Sequence, residues 1–468
     1  MVGSESNPAR VAIIGSGPSG FYAAQYLQKQ KDIAVEIDMF ERLPTPFGLV
    51  RGGVAPDHQK IKSVTKVYDR IASQESFRFF GNVEFGTVVT HADLQAYYHA
   101  IIFAVGAQSD RRLNIPGEDL LGSYPATEFV GWYNAHPDFR DLEFDLDVEN
   151  VAVIGVGNVA VDVVRILTRT VNELKQTDIA DYALDALAES AVKNVYVFGR
   201  RGPVQAKFTP TELKELGDME DVDVILTPDQ LKLDEFSQTE LDEAADRNVL
   251  RNFEHMQRFA DQGKRGRGRR IIFRFLTSPV EILGEDRVEA IKVVRNELYQ
   301  AEDGRIRPRH TEETEVIPVG LVFRSVGYNG LPLPDVPFYE RWGIIPNDRG
   351  RVLTDMEGEQ RTGDYVVGWI KRGPSGVIGT NKPDSEETAQ LLVEDILAGK
   401  HLQPSHPGEI VSMLKERAIP YLTYEDWLAL DQIEQERGEA EGRPRVKFSR
   451  VPDMLAAIAE RKGAPVGD

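Results

Sequence analysis

Two glycine-rich strand-turn-helix patterns, at residues 11–20 and 151–160, predict an α/β chain built from two Rossmann-like dinucleotide-binding units, joined by short apolar strands that alternate with helical stretches. The lack of any cysteine sharpens the expectation. Without thiols there is no disulfide, no thiol relay and no iron-sulfur cluster held by the chain itself, so redox chemistry needs a bound cofactor.

The first unit opens with Val11-Ala12-Ile13-Ile14, an apolar strand that turns through Gly15, Ser16 and Gly17 into a helix starting at Pro18, Ser19 and Gly20. Gly15 permits the tight turn, Gly17 has no side chain to hold the backbone off a pyrophosphate, and Gly20 lets the helix pack closely on its strand. The helix N-terminus then faces the phosphates. A second strand, 35–40, ends at Glu41, where the pattern needs an acceptor for ribose hydroxyls. Residues 42–58, RLPTPFGLVRGGVAPDH, are too rich in Pro and Gly for regular structure and predict a loop running along the cofactor. Residues 59–73 look helical and 77–89 strand-like, and a buried strand ending at Ala104-Val105-Gly106 closes the unit.

In the second unit Gly155 and Gly157 repeat the turn, followed by Asn158, Val159 and Ala160, with alanine in the third glycine position. Its helix is followed by an apparent insertion, 177–192, and then by a strand ending at Gly199-Arg200-Arg201. Where the first unit ends its strand on a carboxylate, the second ends on two guanidinium groups that would clamp a ribose 2'-phosphate. The first site therefore suits FAD and the second NADP. Residues 208–262 read mostly as solvated surface, including the acidic Asp218, Glu220, Asp221 and Asp223, and KRGRGRR at 264–270 reads as a basic loop tip. Residues 271–298 alternate like antiparallel strands, and 320–327 reads as a buried strand on which the chain re-enters the first domain. Asp364 precedes a further strand, a turn and a helix starting near Asp384; residues 408–468 look helical and charged and carry no recognisable chemistry.

At 468 residues the chain allows two or three domains. Lys plus Arg total 55 against 75 Asp plus Glu, a formal charge of -20, which argues against nucleic acid and against an acidic membrane surface. The polar opening 1–10 has no signal-like apolar region and no run approaches membrane-spanning length, so the reading is cytoplasmic, without membrane insertion. No metal site is read from the sequence.

Residues 46–58 (PFGLVRGGVAPDH), 107–111 (AQSDR), 155–160, 200–203 (RRGP) and 368–374 (GWIKRGP) together resemble ferredoxin-NADP reductases of the adrenodoxin reductase type, collinear over about 11–397. The resemblance implies an FAD domain made of 1–107 and 330–468, the latter with a C-terminal helical extension, and an NADP domain, 108–329, inserted between them. It implies flavin-side contacts from Gly15, Gly17, Pro18, Ser19, Gly20, Glu41, Leu49, Val50, Val83, Trp369, Gly376, Val377 and Ile378. On the nicotinamide side it implies Arg111, Gly155, Gly157, Asn158, Val159, Ala160, Arg200, Arg201 and Glu212, with His58 and Glu212 as a polar pair at the flavin. Taken alone, Asn158 reads as a helix cap, Glu212 as a first-turn acid, His58 as a structural histidine and Trp369 as core packing.

The implied activity is that of an FAD-dependent NADPH:ferredoxin oxidoreductase: hydride passes from the nicotinamide to flavin N5, and two single electrons pass to an iron-sulfur ferredoxin. Two alternatives stay open. One is a flavin-dependent oxidase, quinone reductase or monooxygenase acting on a small molecule; the other is a nucleotide-sensing protein without turnover. Because ferredoxins are usually acidic and this chain is too, docking needs a local basic face, for which Arg51, Lys60, Lys62, Lys371 and Arg372 are the candidates.

Overall fold

In the computed structural model, which describes residues 1–244, 246–406 and 408–463, the Ala9–Ile14 strand lies inside the largest sheet, of seven strands. Its apolar residues are almost wholly buried, as a strand flanked by parallel neighbours and covered on both faces must be. It pairs in parallel with Val35–Phe40 on one side and Ala100–Phe103 on the other. The chain leaves it in opposite directions, so the Gly15 turn stands at a topological switch point, where open α/β sheets bind ligands. Phe77–Phe80 extends this sheet at one edge, and Gln360–Val366, Arg351–Leu353 and Asn347–Asp348 extend it at the other.

The second sheet is parallel throughout, in the order Ser123–Pro125, Leu321–Arg324, Asn150–Ile154, Asn194–Phe198, Arg269–Arg274, Val222–Ile225. All its strands come from between the two blocks that build the first sheet, so one dinucleotide fold is inserted into the other. The outgoing chain at Ser109–Asp110 and the returning chain at Tyr328–Asn329 pair as a short antiparallel ribbon. A three-stranded antiparallel sheet, Thr277–Leu283, Ala290–Gln300 and Ile306–Pro318, is inserted in the chain between the Arg269–Arg274 and Leu321–Arg324 strands of the second sheet.

Several local expectations change. Leu321–Arg324 belongs to the second sheet, and the return to the first comes only at the ribbon. The alternation over 271–298 crosses from a parallel strand into the antiparallel sheet, because period-two patterning does not report strand direction. The KRGRGRR stretch keeps Lys264, Arg265, Gly266 and Gly268 exposed, but its backbone is anchored: the N–H groups of Arg265, Gly266 and Arg267 all donate to the buried Asp223 Oδ2 at 3.0, 2.9 and 3.2 Å, and Arg269 and Arg270 enter the Arg269–Arg274 strand. Consecutive backbone donors of this kind form a concave site for a carboxylate oxygen. Asp364 lies inside the Gln360–Val366 strand, where it accepts from His91 Nε2 at 3.0 Å and pairs with Arg361 at 3.0 Å.

The C-terminal helices Ile410–Glu416, Tyr424–Ala440 and Val451–Arg461 are integral to the core. Trp427 stands edge-on to Phe47 at 5.6 Å, in a cluster with Phe21, Tyr68 and Leu430. Beyond it the segment 443–450 reaches the inserted domain: Arg443 Nε donates to Thr177 O at 3.1 Å, Lys447 Nζ pairs with Asp178 at 3.2 Å, and Arg450 pairs with Asp141. Among the described residues no helix is long and apolar enough to cross a membrane.

Candidate active site at the boundary of the two dinucleotide units

Gly15 has φ +102°, and a Cβ there would stand 2.7 Å from Ala104 O; at Gly20 it would stand 2.5 Å from Gly15 O. Neither position admits a side chain. Gly17 is different, since nothing lies within 4 Å of its would-be Cβ. That open space sits at the N-terminus of the Pro18–Gln28 helix, which no side chain caps, so its first donors are free for phosphate oxygens. Glu41 accepts from Ser16 N at 3.1 Å and Ser16 Oγ at 2.7 Å through one oxygen, and from Leu43 N at 3.1 Å through the other. Ser16, which no sequence pattern singles out, is thus the group that holds the carboxylate over the turn.

The 42–58 loop crosses this turn: Phe47 N donates to Ser16 O at 3.0 Å, and a Cβ on Gly48 would lie 3.1 Å from Gly17 Cα. One helical turn, Leu49–Gly52, interrupts the loop and leaves Leu49 half-exposed and Val50 buried. Val83 is buried, its N–H on Glu41 O at 2.9 Å. From the other end of the chain, Gly368 packs on Ser19, where a Cβ would be 2.0 Å from Ser19 Oγ, and Gly368 N donates to Asp384 Oδ2 at 2.6 Å. Trp369 stacks on Tyr328 of the crossing ribbon at 5.5 Å and 19°. Gly376 and Val377 are exposed and Ile378 partly so, and Gly379 has open space around its would-be Cβ. An open cradle at Gly17, an uncapped helix, an acceptor at Glu41 and bare backbone at 376–379 fit FAD.

The second unit repeats the geometry. Gly155 has φ +134°, a Cβ there would meet Ser325 O at 2.1 Å, and Gly157 again faces open space. Ala160 is buried and Val159 partly so. Asn158 does not cap its own helix; its Oδ1 accepts from Thr209 N at 2.8 Å. Thr209 is in turn the N-cap of the Pro210–Asp218 helix, so Asn158 fixes the entry of the helix that carries Glu212. Arg200 is exposed, Arg201 is half-buried, and neither forms a salt bridge among the described residues. Burial, and next the neighbouring Arg200, lower the affinity of Arg201 for its proton, and together they outweigh the more weakly felt carboxylate of Glu240. The pair fits a phosphate. Arg111 donates through Nε to Asn329 Oδ1 at 3.2 Å, on the ribbon.

At the boundary, His58 Nε2 of the first unit donates to Glu215 Oε2 at 2.8 Å and lies 3.4 Å from Glu212 Oε2 of the second. Beside them Arg165 is completely buried. Its guanidinium reaches Asp57 at 2.6 Å, Asp162 at 2.6 Å and Glu212 at 3.1 Å, and so ties both units together. Burial pushes the Asp57 carboxyl up, but Arg165 outweighs it and lowers it to about 2. Glu212 is pushed up to about 7, by burial first and then by the charge of Asp162. His58 is raised: burial opposes the shift, and the hydrogen bond to Glu215 drives it. Glu212 is therefore not an ordinary solvated first-turn acid. Sequence reasoning missed Arg165, Asp57, Asp162 and Glu215; the available signal was the i,i+3 spacing of Asp162 with Arg165 and of Glu212 with Glu215, which puts each pair on one helix face.

Of the residues expected to line a docking face, Arg51, Lys60, Lys62, Lys371 and Arg372, four have partners within the chain. Arg51 is paired with Glu434, Lys62 with Asp178 at 2.7 Å, and Lys371 with Glu387 at 2.9 Å and Asp384 at 3.2 Å. Arg372 donates to Asn381 Oδ1 at 2.9 Å, with Asp384 at 3.6 Å. These four are largely buried and neutralised inside the protein; only Lys60 is exposed. A sequence lists cations and not their partners, and here the partners lie on distant segments.

Residues 9–197 match the family described as Pyridine nucleotide-disulphide oxidoreductase. The NADPH-ferredoxin reductase FprA of Mycobacterium tuberculosis is 46% identical over 459 residues, covering 96% of this chain and 98% of that protein. The mitochondrial NADPH:adrenodoxin oxidoreductase of Salvelinus fontinalis is 41% identical over 472 residues, covering 97% and 92%. The structure of Mycobacterium tuberculosis FprA in complex with NADPH superposes with a TM-score of 0.91 at 45% identity, covering 97% of this chain and all of that one. With its paired glycine turns, its inserted second sheet and no cysteine for disulfide chemistry, the chain belongs to the NADPH-ferredoxin reductases of the adrenodoxin reductase type.

Proposed function

We propose that the chain is an FAD-dependent NADPH:ferredoxin oxidoreductase acting in the cytoplasm. The observation that carries this reading is the 3.4 Å approach of His58 on the first dinucleotide unit to Glu212 on the second, which brings the walls of two nucleotide sites together. FAD, when bound, would supply the two-to-one conversion between the hydride of NADPH and the single electrons an iron-sulfur protein accepts. The chain's residues bind, orient and exclude water. Gly15, Gly17, Pro18, Ser19 and Gly20 would hold the FAD phosphates on the helix N-terminus, and Glu41 would accept from the ribose hydroxyls. Leu49, Val50, Val83, Trp369, Gly376, Val377 and Ile378 border the flavin side. Gly155, Gly157, Val159 and Ala160 form the NADP turn, Arg111 lies at its mouth, and Arg200 and Arg201 read the 2'-phosphate.

Asn158 and Arg165 act at one remove. The first anchors the Glu212 helix, and the second holds Glu212 between fixed carboxylates, so that Glu212 and His58 orient the nicotinamide against the flavin. The division 1–107, 108–329 and 330–468 belongs to the same reading and is supported by the ribbon at Ser109–Asp110 and Tyr328–Asn329. The acceptor is an iron-sulfur ferredoxin. The test mixes FAD-loaded protein with excess NADPH in a stopped-flow cell and then adds a ferredoxin. Rapid bleaching of the flavin followed by ferredoxin reduction is expected. A flavin that stays oxidised rejects the reductase, and reduction of quinones but of no ferredoxin rejects the acceptor.

A further inference from the structure

The three-stranded antiparallel sheet has no part in the reading above, yet it grips the loop that carries Arg200 and Arg201. Thr277 N donates to Gly199 O at 3.0 Å, Asn296 Nδ2 to Arg200 O at 2.7 Å, and Leu276 N to Arg201 O at 3.0 Å. Three successive carbonyls of the loop are thereby engaged, and the middle one is held by a side chain. Asn296 is 2% exposed, and its amide also donates to Ser278 Oγ at 2.8 Å. Two irregularities bring that amide into place. The pairing of Ala290–Gln300 with Ile306–Pro318 shifts register between Val294 and Asn296, and such a shift re-aims side chains out of simple alternation. Leu276 has φ +49°, a conformation uncommon for leucine, and its carbonyl accepts from Asn296 N at 2.7 Å.

The physical need for such a grip follows from charge. Arg200 and Arg201 are adjacent like charges with no salt-bridge partner among the described residues, so a loose loop would let them separate until a ligand gathered them. Tying the backbone beforehand removes that ordering cost from binding. We propose that Asn296 is a positioning residue for discrimination between NADPH and NADH: by fastening the Arg200 carbonyl to the antiparallel sheet, it keeps both guanidinium groups assembled for the ribose 2'-phosphate. This rests on the assignment of Arg200 and Arg201 to that phosphate.

The test is calorimetric titration of FAD-loaded enzyme with NADP+ and, separately, NAD+. Asn296→Leu leaves the Arg200 carbonyl unpaired, and the expected result is a roughly tenfold loss of NADP+ affinity with NAD+ affinity within about twofold of wild type. Asn296→Ser is smaller than the leucine variant and moves the ratio in the same direction, which keeps the question answerable if the leucine variant sheds flavin. An equal loss for both nucleotides, or an unchanged ratio in a variant that melts like wild type, overturns the proposal. Arg200→Ala/Arg201→Ala separates the two levels. If that variant keeps its NADP+ preference, the arginine assignment itself fails. If it loses the preference while both Asn296 variants keep theirs, only the role of Asn296 is refuted.

Discussion

Glu434, fully buried on the Tyr424–Ala440 helix, meets two nitrogens of Arg51, 383 residues earlier, at 2.8 and 2.5 Å. The same carboxylate accepts from Phe448 N at 2.9 Å, and Arg51 lies over the Trp427 ring at 5.1 Å. The flavin-side loop is therefore fastened to the C-terminal helices through desolvated charge.

A buried pair adds little over an apolar one, but losing one partner strands the other charge. Glu434→Ala should lower the unfolding free energy by about 3–5 kcal/mol, and Arg51→Met/Glu434→Leu should recover the part owed to the stranded Arg51 charge, while Phe448 N and Arg445 lose Glu434 in both variants. The urea midpoint, followed by tryptophan fluorescence, reads both. If the double variant is as unstable as the single one, stranded charge is not the cause.

Asp178 joins the two units through Lys447 and Lys62. Burial pushes its carboxyl up, but the two ammonium groups outweigh it and the net shift is downward. A carboxyl depressed in the folded state contributes stability above its unfolded value, about 4, and that contribution fades as pH falls through the folded value. The margin by which the wild-type melting temperature exceeds that of Asp178→Asn should hold from pH 7 to about 5 and shrink below about 4. Parallel curves for the two proteins would count against this linkage.

Glu212 is raised toward neutrality by burial and by Asp162, so it changes protonation in the working pH range. Flavin reduction by NADPH should accordingly show a titration near pH 7, measured by stopped flow from pH 5.5 to 8.5, and Glu212→Gln should flatten it. Alanine at His58 or Glu212 should slow reduction by roughly tenfold to a hundredfold through misplaced rings. Wild-type rates in both variants would take these residues off the ring.

Lys371 is buried among Asp384, Glu387 and Thr388, beside the glycine that packs on Ser19. Reversal to glutamate would place like charges together there, so Lys371→Glu should release flavin and depress ferredoxin and small-acceptor reduction alike. At the exposed Lys60, reversal should leave flavin content unchanged. A selective loss of ferredoxin reduction in Lys371→Glu, with full flavin content, would restore that lysine to a docking role.

What the chain could be read for without coordinates is whatever short contiguous stretches encode. The glycine turns at 15–20 and 155–160, the terminal Glu41 and the Arg200-Arg201 pair are local patterns, because a turn's steric demands and a strand's final residue act within a few positions. The fold class was legible from them, whereas the insertion came with the family resemblance, because the strand read as the return to the first domain belongs to the second sheet. Tertiary structure decided the rest. Arg165 unites residues 57, 162 and 212; Asn296 reaches Arg200 from another sheet; Glu434 neutralises Arg51 across nearly the whole chain. Whether a charge is solvated, paired or stranded depends on which distant segment folds against it. Local pattern does not carry that information, because Coulomb energy and desolvation are set by distance in space and not by distance along the chain.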